Sequence, residues 1–162
     1  MLTRLAGCVL AAYVSAVAVA AQPAPQSIHL SAKTQRNAVK PGAKFIVEIL
    51  AVIDTGWHLY STEQEAGGPR PTRFKVAPGQ PFELAGSVEE SGARVEFDPV
   101  LNREVQLFEN EANFQVPLRV AKEAKTGKQR ATINVTFQAC SKQICLPPKT
   151  VPVSADLTVA AH

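Results

Sequence analysis

Residues 137–148 read Phe137-Gln138-Ala139-Cys140-Ser141-Lys142-Gln143-Ile144-Cys145-Leu146-Pro147-Pro148, and the chain alternates on both sides of them. Upstream, Ile133, Val135 and Phe137 are apolar while Thr132, Asn134 and Thr136 are polar. A period of two marks a strand with one face in a core and the other in water. Downstream, Val151, Val153, Leu157 and Val159 are apolar against polar Thr150, Ser154, Asp156 and Thr158. The two cysteines therefore lie in a short connection between two half-buried strands. Pro147 and Pro148 close that connection, and a residue before proline is pushed out of helical backbone. Leu146 is thus extended and Cys145 sits on a stiff exit. Parity continued through Phe137 groups Cys140 with Thr136 and Gln138. The pair is expected to open onto a sheet surface or groove, not the inter-sheet core.

The rest of the chain repeats this theme. Residues 27–32 suit a first edge strand. Lys44 to Ile53 is apolar at nearly every position, which reads as a central strand buried on both faces, with Pro41-Gly42 as the turn feeding it. Asp54-Thr55-Gly56 turns the chain into residues 57–61, and a Gly- and Pro-rich loop spans 67–71. Short strands are expected at 73–76, 83–88, 94–97, 105–108 and 114–120, the last with Phe114, Val116, Leu118 and Val120 on one face. Glycines and prolines recur between them and no helical period is sustained. Such spacing argues an all-β fold: an immunoglobulin-like antiparallel β-sandwich with Greek-key connections. No internal repeat or low-complexity tract interrupts it. Asn134-Val135-Thr136 fits a glycosylation sequon but lies in mid-strand.

Arg4 followed by an alanine-rich apolar run over residues 5–21 reads as a secretory signal peptide. The run is about 17 residues, short of the ~20 that a spanning helix needs. Leu5-Ala6-Gly7-Cys8 matches a lipoprotein cleavage signature, but Cys8 precedes most of the apolar run and belongs with the discarded signal. The expected organisation is signal peptide 1–21, extended leader 22–26 and one β-domain over 27–160. No membrane insertion is expected after cleavage. The net charge of +3, which includes Arg4, is too small to argue for nucleic acid. Lys122, Lys125, Lys128 and Arg130 around Gly127 read as a solvated turn.

Export places the chain in an oxidising compartment, where paired thiols are disulfides unless something reduces them. Three readings of Cys140 and Cys145 compete. A structural bridge is common in small exported domains, yet closing a loop of about six residues gains only about 2 kcal/mol. Metal binding lacks further cysteine or histidine partners for a four-ligand site, copper held by Cys140, Cys145 and His58 included. A redox pair that opens and closes by exchange is the third.

Gln-Ala-Cys-(x4)-Cys-Leu-Pro-Pro-Lys between two strands resembles the N-terminal periplasmic domain of the thiol:disulfide interchange protein DsbD. So do Gly56-Trp57-His58-Leu59-Tyr60-Ser61 and Gly67-Gly68-Pro69, and the resemblance covers about residues 27–159. It implies a periplasmic thiol:disulfide interchange domain that relays electrons from a thioredoxin-like or membrane thiol reductant to oxidised periplasmic thiol proteins. By the same resemblance Cys145 is the exchanging sulfur and Cys140 resolves the mixed disulfide, with no metal or cofactor. Phe97 would cap the thiols from the segment Arg94-Val95-Glu96-Phe97-Asp98-Pro99. Glu96 matches an acid near them, and a carboxylate there disfavours thiolate. The family's second acid is replaced by Val95. His58 and Tyr60 stand where the family has two tyrosines; two apart on a strand, they share a face. Tyr60 is expected to donate a hydrogen bond to sulfur, and His58 to carry charge near neutral pH. The competing class is a non-catalytic immunoglobulin-like binding module whose disulfide is a staple.

Overall fold

In the computed structural model, which describes residues 27–161, the alternating segments become strands and no helix forms among the described residues. In chain order they are β1 (Ile28–Thr34), β2 (Ala38–Val39), β3 (Lys44–Ile53), β4 (Trp57–Tyr60), β5 (Arg73–Val76), β6 (Phe82–Leu84) and β7 (Glu89–Ser91). They continue with β8 (Arg94–Asp98), β9 (Arg103–Phe108), β10 (Glu111–Val120), β11 (Gly127–Phe137), β12 (Ala139–Ser141) and β13 (Lys149–Val159). Three sheets result. The first runs β1-β3-β10-β6 with β7 also on β10, the second β2-β13-β11-β5, and the third β12-β4-β9-β8. All pairings are antiparallel except the short β2–β13 contact.

The first two sheets face each other. Phe45, Val47, Ile49 and Ala51 of β3 and Phe114, Val116, Leu118 and Val120 of β10 supply one wall. Ala131, Ile133, Val135 and Phe137 of β11, with Val153, Ala155, Leu157 and Val159 of β13, supply the other. Phe74 of β5 meets Phe114 of β10 across the gap, ring centroids 4.9 Å apart. Each large apolar side chain withdrawn from water here contributes about 1.5–3 kcal/mol. Strands adjacent in a sheet are far apart in sequence, β3 beside β10 and β5 beside β11, the mark of an immunoglobulin-like β-sandwich.

Two sequence expectations need correction. β3 is not buried on both faces: its odd-numbered residues are buried, whereas Ile46 and Leu50 are half-buried and Val52 is exposed. A two-layer sandwich has only one inner side per sheet, so apolar residues on the outer side meet water. Nor is 83–88 one strand. β6 pairs with Leu118–Val120, the chain leaves the sheet at Gly86 and Ser87, and β7 rejoins β10 at Asn113–Gln115. The signal-peptide and leader readings fall on residues 1–26, outside the described residues. Among the described residues no helix is long and apolar enough to cross a membrane.

The third sheet carries the cysteines against the flank of this sandwich. Gly56 enters it with φ of 83°, a backbone region that glycine reaches without a Cβ clash, while Trp57 N donates to Asp54 O at 3.0 Å. That turn delivers β4. On the opposite side of the same core, β11 ends at Phe137 and the chain continues after Gln138 as β12, now paired with β4.

Candidate functional site

The connection between β11 and β13 is more ordered than an open loop. Residues 139–146 fold back on themselves: Ser141 N donates to Ile144 O at 2.8 Å, and Leu146 N donates to Ala139 O at 2.9 Å. Between these two bonds Cys140 and Cys145 oppose each other with Cα atoms 4.0 Å apart, joined by a disulfide. The position is the non-hydrogen-bonded one of an antiparallel ladder, where side chains approach most closely. Ser141 Oγ accepts from the amides of Gln143 and Ile144, both at 3.2 Å, and Gln138 Nε2 donates to Leu146 O at 3.1 Å. The hairpin thus holds its shape through bonds that do not involve sulfur.

Register decides which side chains share the sulfur's side of this sheet. Cys140 is paired with His58, Tyr60 with Leu107, Leu107 with Arg94, Glu96 with Val105 and Asp98 with Arg103. Directly opposed residues point the same way. One face therefore presents Leu59, Ala139 and Phe108 to the main core. The other presents His58, Tyr60 and Cys140, with Glu96 and Asp98 on the same parity. Tyr60, Val105, Leu107 and Cys140 form a small second core on that side, with Cys145 packed against it. Cys140 is 0% exposed and Cys145 half-buried. The parity expectation was right that Cys140 stays out of the inter-sheet core. It was wrong about an open surface, because the chain changes sheets after Phe137 and β4 and β9 cover the sulfur.

A buried polar cluster adjoins the disulfide. Tyr60 Oη donates to Asp98 Oδ2 at 2.5 Å and stands 3.8 Å from Cys145 Sγ. Asp98 Oδ1 accepts the amides of Val100 at 2.8 Å and Leu101 at 3.1 Å, which shapes the turn from β8 to β9. His58 Nε2 lies 3.4 Å from Asp98 Oδ2 but makes no hydrogen bond of good geometry, and its ring meets Tyr60 edge-on at 5.0 Å. Burial opposes charge on His58 and holds its pKa below the usual value despite the neighbouring Asp98, Glu109 and Glu96 carboxylates. Burial alone would raise the Asp98 pKa; the hydrogen bonds from Tyr60, Leu101 and Val100 more than offset this and keep the carboxyl below its ordinary value. Tyr60 is pushed well above its ordinary value by burial and by its bond to Asp98. The resting cluster is a neutral histidine, a neutral phenol and a carboxylate.

Tyr60 reaches the sulfur as expected, but its one proton is held by Asp98, so it presents lone pairs to Cys145 instead of donating. His58 is buried and uncharged, not a charge carrier at neutral pH. Glu96 shares the cysteine face and is ion-paired with Arg94, which also bonds Glu109. Phe97 has the opposite parity, pairing with Glu104, and is 61% exposed. Together with His58, Glu96, Asp98, Glu109 and Lys142 it lines a cavity of about 260 Å³ whose lining includes neither cysteine. Asp98 was not anticipated: Asp-Pro at a strand end reads as a turn signal, and nothing local announces a partner 38 residues away. Among the described residues no group of three or more His, Cys, Asp or Glu side chains stands together in metal-holding geometry.

The site is a β-sandwich flank bearing a cross-strand disulfide, one sulfur sealed and the other half-open beside a polar cluster. The chain belongs to the family described as thiol:disulfide interchange protein DsbD, N-terminal, which matches residues 20–156. Among solved structures it is similar to the N-terminal periplasmic domain of ScsB from Proteus mirabilis, at 13% identity and a TM-score of 0.51. That likeness covers 80% of this chain and 44% of the other, so the chain spans less than half of that structure's length. A weaker likeness, to the major pilin subunit BcpA of Bacillus cereus, has 11% identity, a TM-score of 0.34 and coverage of 80% and 40%. Nothing among the curated proteins matches the chain.

Proposed function

We propose that this is a periplasmic domain that relays electrons through Cys140 and Cys145. It takes them from a separate thioredoxin-like or membrane thiol reductant and passes them to oxidised periplasmic thiol proteins. The observation that carries the reading is the inequality of the two sulfurs, Cys145 half-exposed on the hairpin's return arm and Cys140 wholly buried behind it. Exchange needs one sulfur open to in-line attack and a second close by to expel the partner. Cys145 is the attacking and attacked sulfur in this scheme, and Cys140 the resolving one. The hairpin's own backbone bonds leave the disulfide little to hold in place, which supports a bond free to open. Phe97, exposed on β8 and lining a cavity with His58 and Asp98, is assigned to shielding the reduced pair. His58 and Tyr60 tune the sulfur from β4.

Trapping tests this directly. Incubated with an oxidised thioredoxin-fold partner, the reduced Cys140→Ser chain should accumulate a mixed disulfide through Cys145, while Cys145→Ser accumulates little. Equal trapping by both variants would overturn the assignment of roles. No trapping by either would leave a binding module with a structural disulfide as the better account.

A further inference from the structure

Tyr60 has one hydroxyl proton, and Asp98 Oδ2 takes it at 2.5 Å. The oxygen's remaining valence toward Cys145 Sγ, 3.8 Å away, is therefore a lone pair. A disulfide sulfur has no proton to give, so in the oxidised chain this is only a contact. Reduction supplies the missing donor. We propose that Asp98 is a positioning residue for the exchange: by fixing the Tyr60 hydroxyl as an acceptor, it holds reduced Cys145 in the protonated thiol form. The inference rests on the interchange reading above.

The chain of bonds then runs Cys145 S–H to Tyr60 Oη, and Tyr60 O–H to Asp98. Removing the thiol proton in place would set a thiolate against an oxygen lone pair, one hydrogen bond from a carboxylate, in a partly desolvated corner. Both effects disfavour the anion. Because the thiolate is the nucleophile, a reduced pair held this way reacts slowly with stray oxidants. A docking partner that moves Tyr60 aside, or brings a cation, releases it.

In the exchange itself Cys145 gives its proton to solvent, and its sulfur bonds one sulfur of the partner's disulfide while the other leaves as a thiolate. Cys140, losing its own proton, attacks the Cys145 sulfur and expels the second partner thiolate. Two electrons pass to the partner, the two partner thiolates take up two protons, and the Cys140–Cys145 disulfide forms. Loading by a reductant is the reverse.

The charged and titratable groups around Asp98 come from every element packed against it. From β4 come His58, neutral through burial, and Tyr60 itself. From β8 and β9 come Glu96, which is paired to Arg94, and Arg103 in register with Asp98; Glu109 follows β9. Lys142 of the cysteine hairpin lines the same cavity as Asp98.

The test is the pH dependence of Cys145 alkylation by iodoacetamide in the reduced full chain, with the modified cysteine identified by mass spectrometry. Asp98→Asn should move the midpoint of the rate–pH curve down by about one unit, which is about a tenfold faster reaction at a fixed pH below the midpoint. Asp98 also shapes a turn, so Tyr60→Phe, which leaves that turn intact, is the second variant and should shift the midpoint the same way. The double variant should shift no further than either single one. Midpoints equal to the unsubstituted chain's in folded Tyr60→Phe, an upward shift, or additive shifts in the double variant would overturn the proposal. Shifted midpoints without partner trapping by Cys140→Ser would instead sink the interchange reading and leave the effect of Asp98 standing. Trapping with unmoved midpoints would sink this inference alone.

Discussion

At the scale of single residues, the site is governed by which atom holds a proton. Asp98 is sealed from water, yet three hydrogen bonds keep it ionised, and its partners take the neutral form. Phe97 is a different kind of residue. At 61% exposure it makes little of the core, so Phe97→Ala should cost well under the ~3–5 kcal/mol of a buried phenylalanine. If it shields the thiols, the same substitution should raise the alkylation rate of the reduced protein severalfold, with the thermal transition nearly unmoved. An unchanged rate would remove Phe97 from the site. Val95, Val100, Leu101 and Ile144 are also exposed.

At the scale of elements, the hairpin of residues 139–146 is the unit that presents the disulfide, and its backbone and Ser141 bonds do not involve sulfur. Reduction should remove about 2 kcal/mol, against ~5–15 kcal/mol for a domain, so the reduced chain should still melt cooperatively in calorimetry. Disappearance of that transition would make the disulfide a staple. The strands that form this setting were largely legible in sequence. Arg73–Val76 and Lys44–Ile53 have the expected limits, and Phe114 through Val120 and Ile133 through Phe137 bury the expected parity. Alternation reports what one strand does locally, and that was enough for the sandwich. It could not report β12, because three residues that leave one sheet for another carry no periodicity of their own. For the same reason the burial of Cys140 was missed: what covers a face depends on strands brought there by distant sequence. His58 and Tyr60 were placed on one face from spacing alone, whereas Asp98 required knowing that β8 lies two strands from β4.

For the whole molecule, the buried cluster makes stability depend on pH from both sides. His58 binds its proton less readily folded than unfolded. Below its ordinary value of 6.5 and above the folded one, the unfolded chain holds the extra proton, so stability rises with pH in that window and falls on acidification. Asp98 adds the same sign lower down: its contribution is present above the ordinary carboxyl value of 3.8 and is lost as pH drops through the depressed folded value. Tyr60 acts oppositely. Its folded pKa lies above the ordinary 10.0, so the unfolded chain loses the proton first and stability declines as pH climbs past that point. Glu48, Asp156 and Arg130 are also shifted, but Asp156 and Arg130 are exposed and Glu48 is half-exposed, so solvent screens all three and they contribute little. The melting temperature should therefore form a plateau between about pH 7 and 10 with a shoulder on each side. His58→Phe should flatten the upper part of the acid limb, and Tyr60→Phe the alkaline one, each leaving the other limb in place. A melting temperature that stays level from pH 7 down to 5 in the unsubstituted chain would mean that His58 can be charged without opening this corner, and that water reaches Asp98.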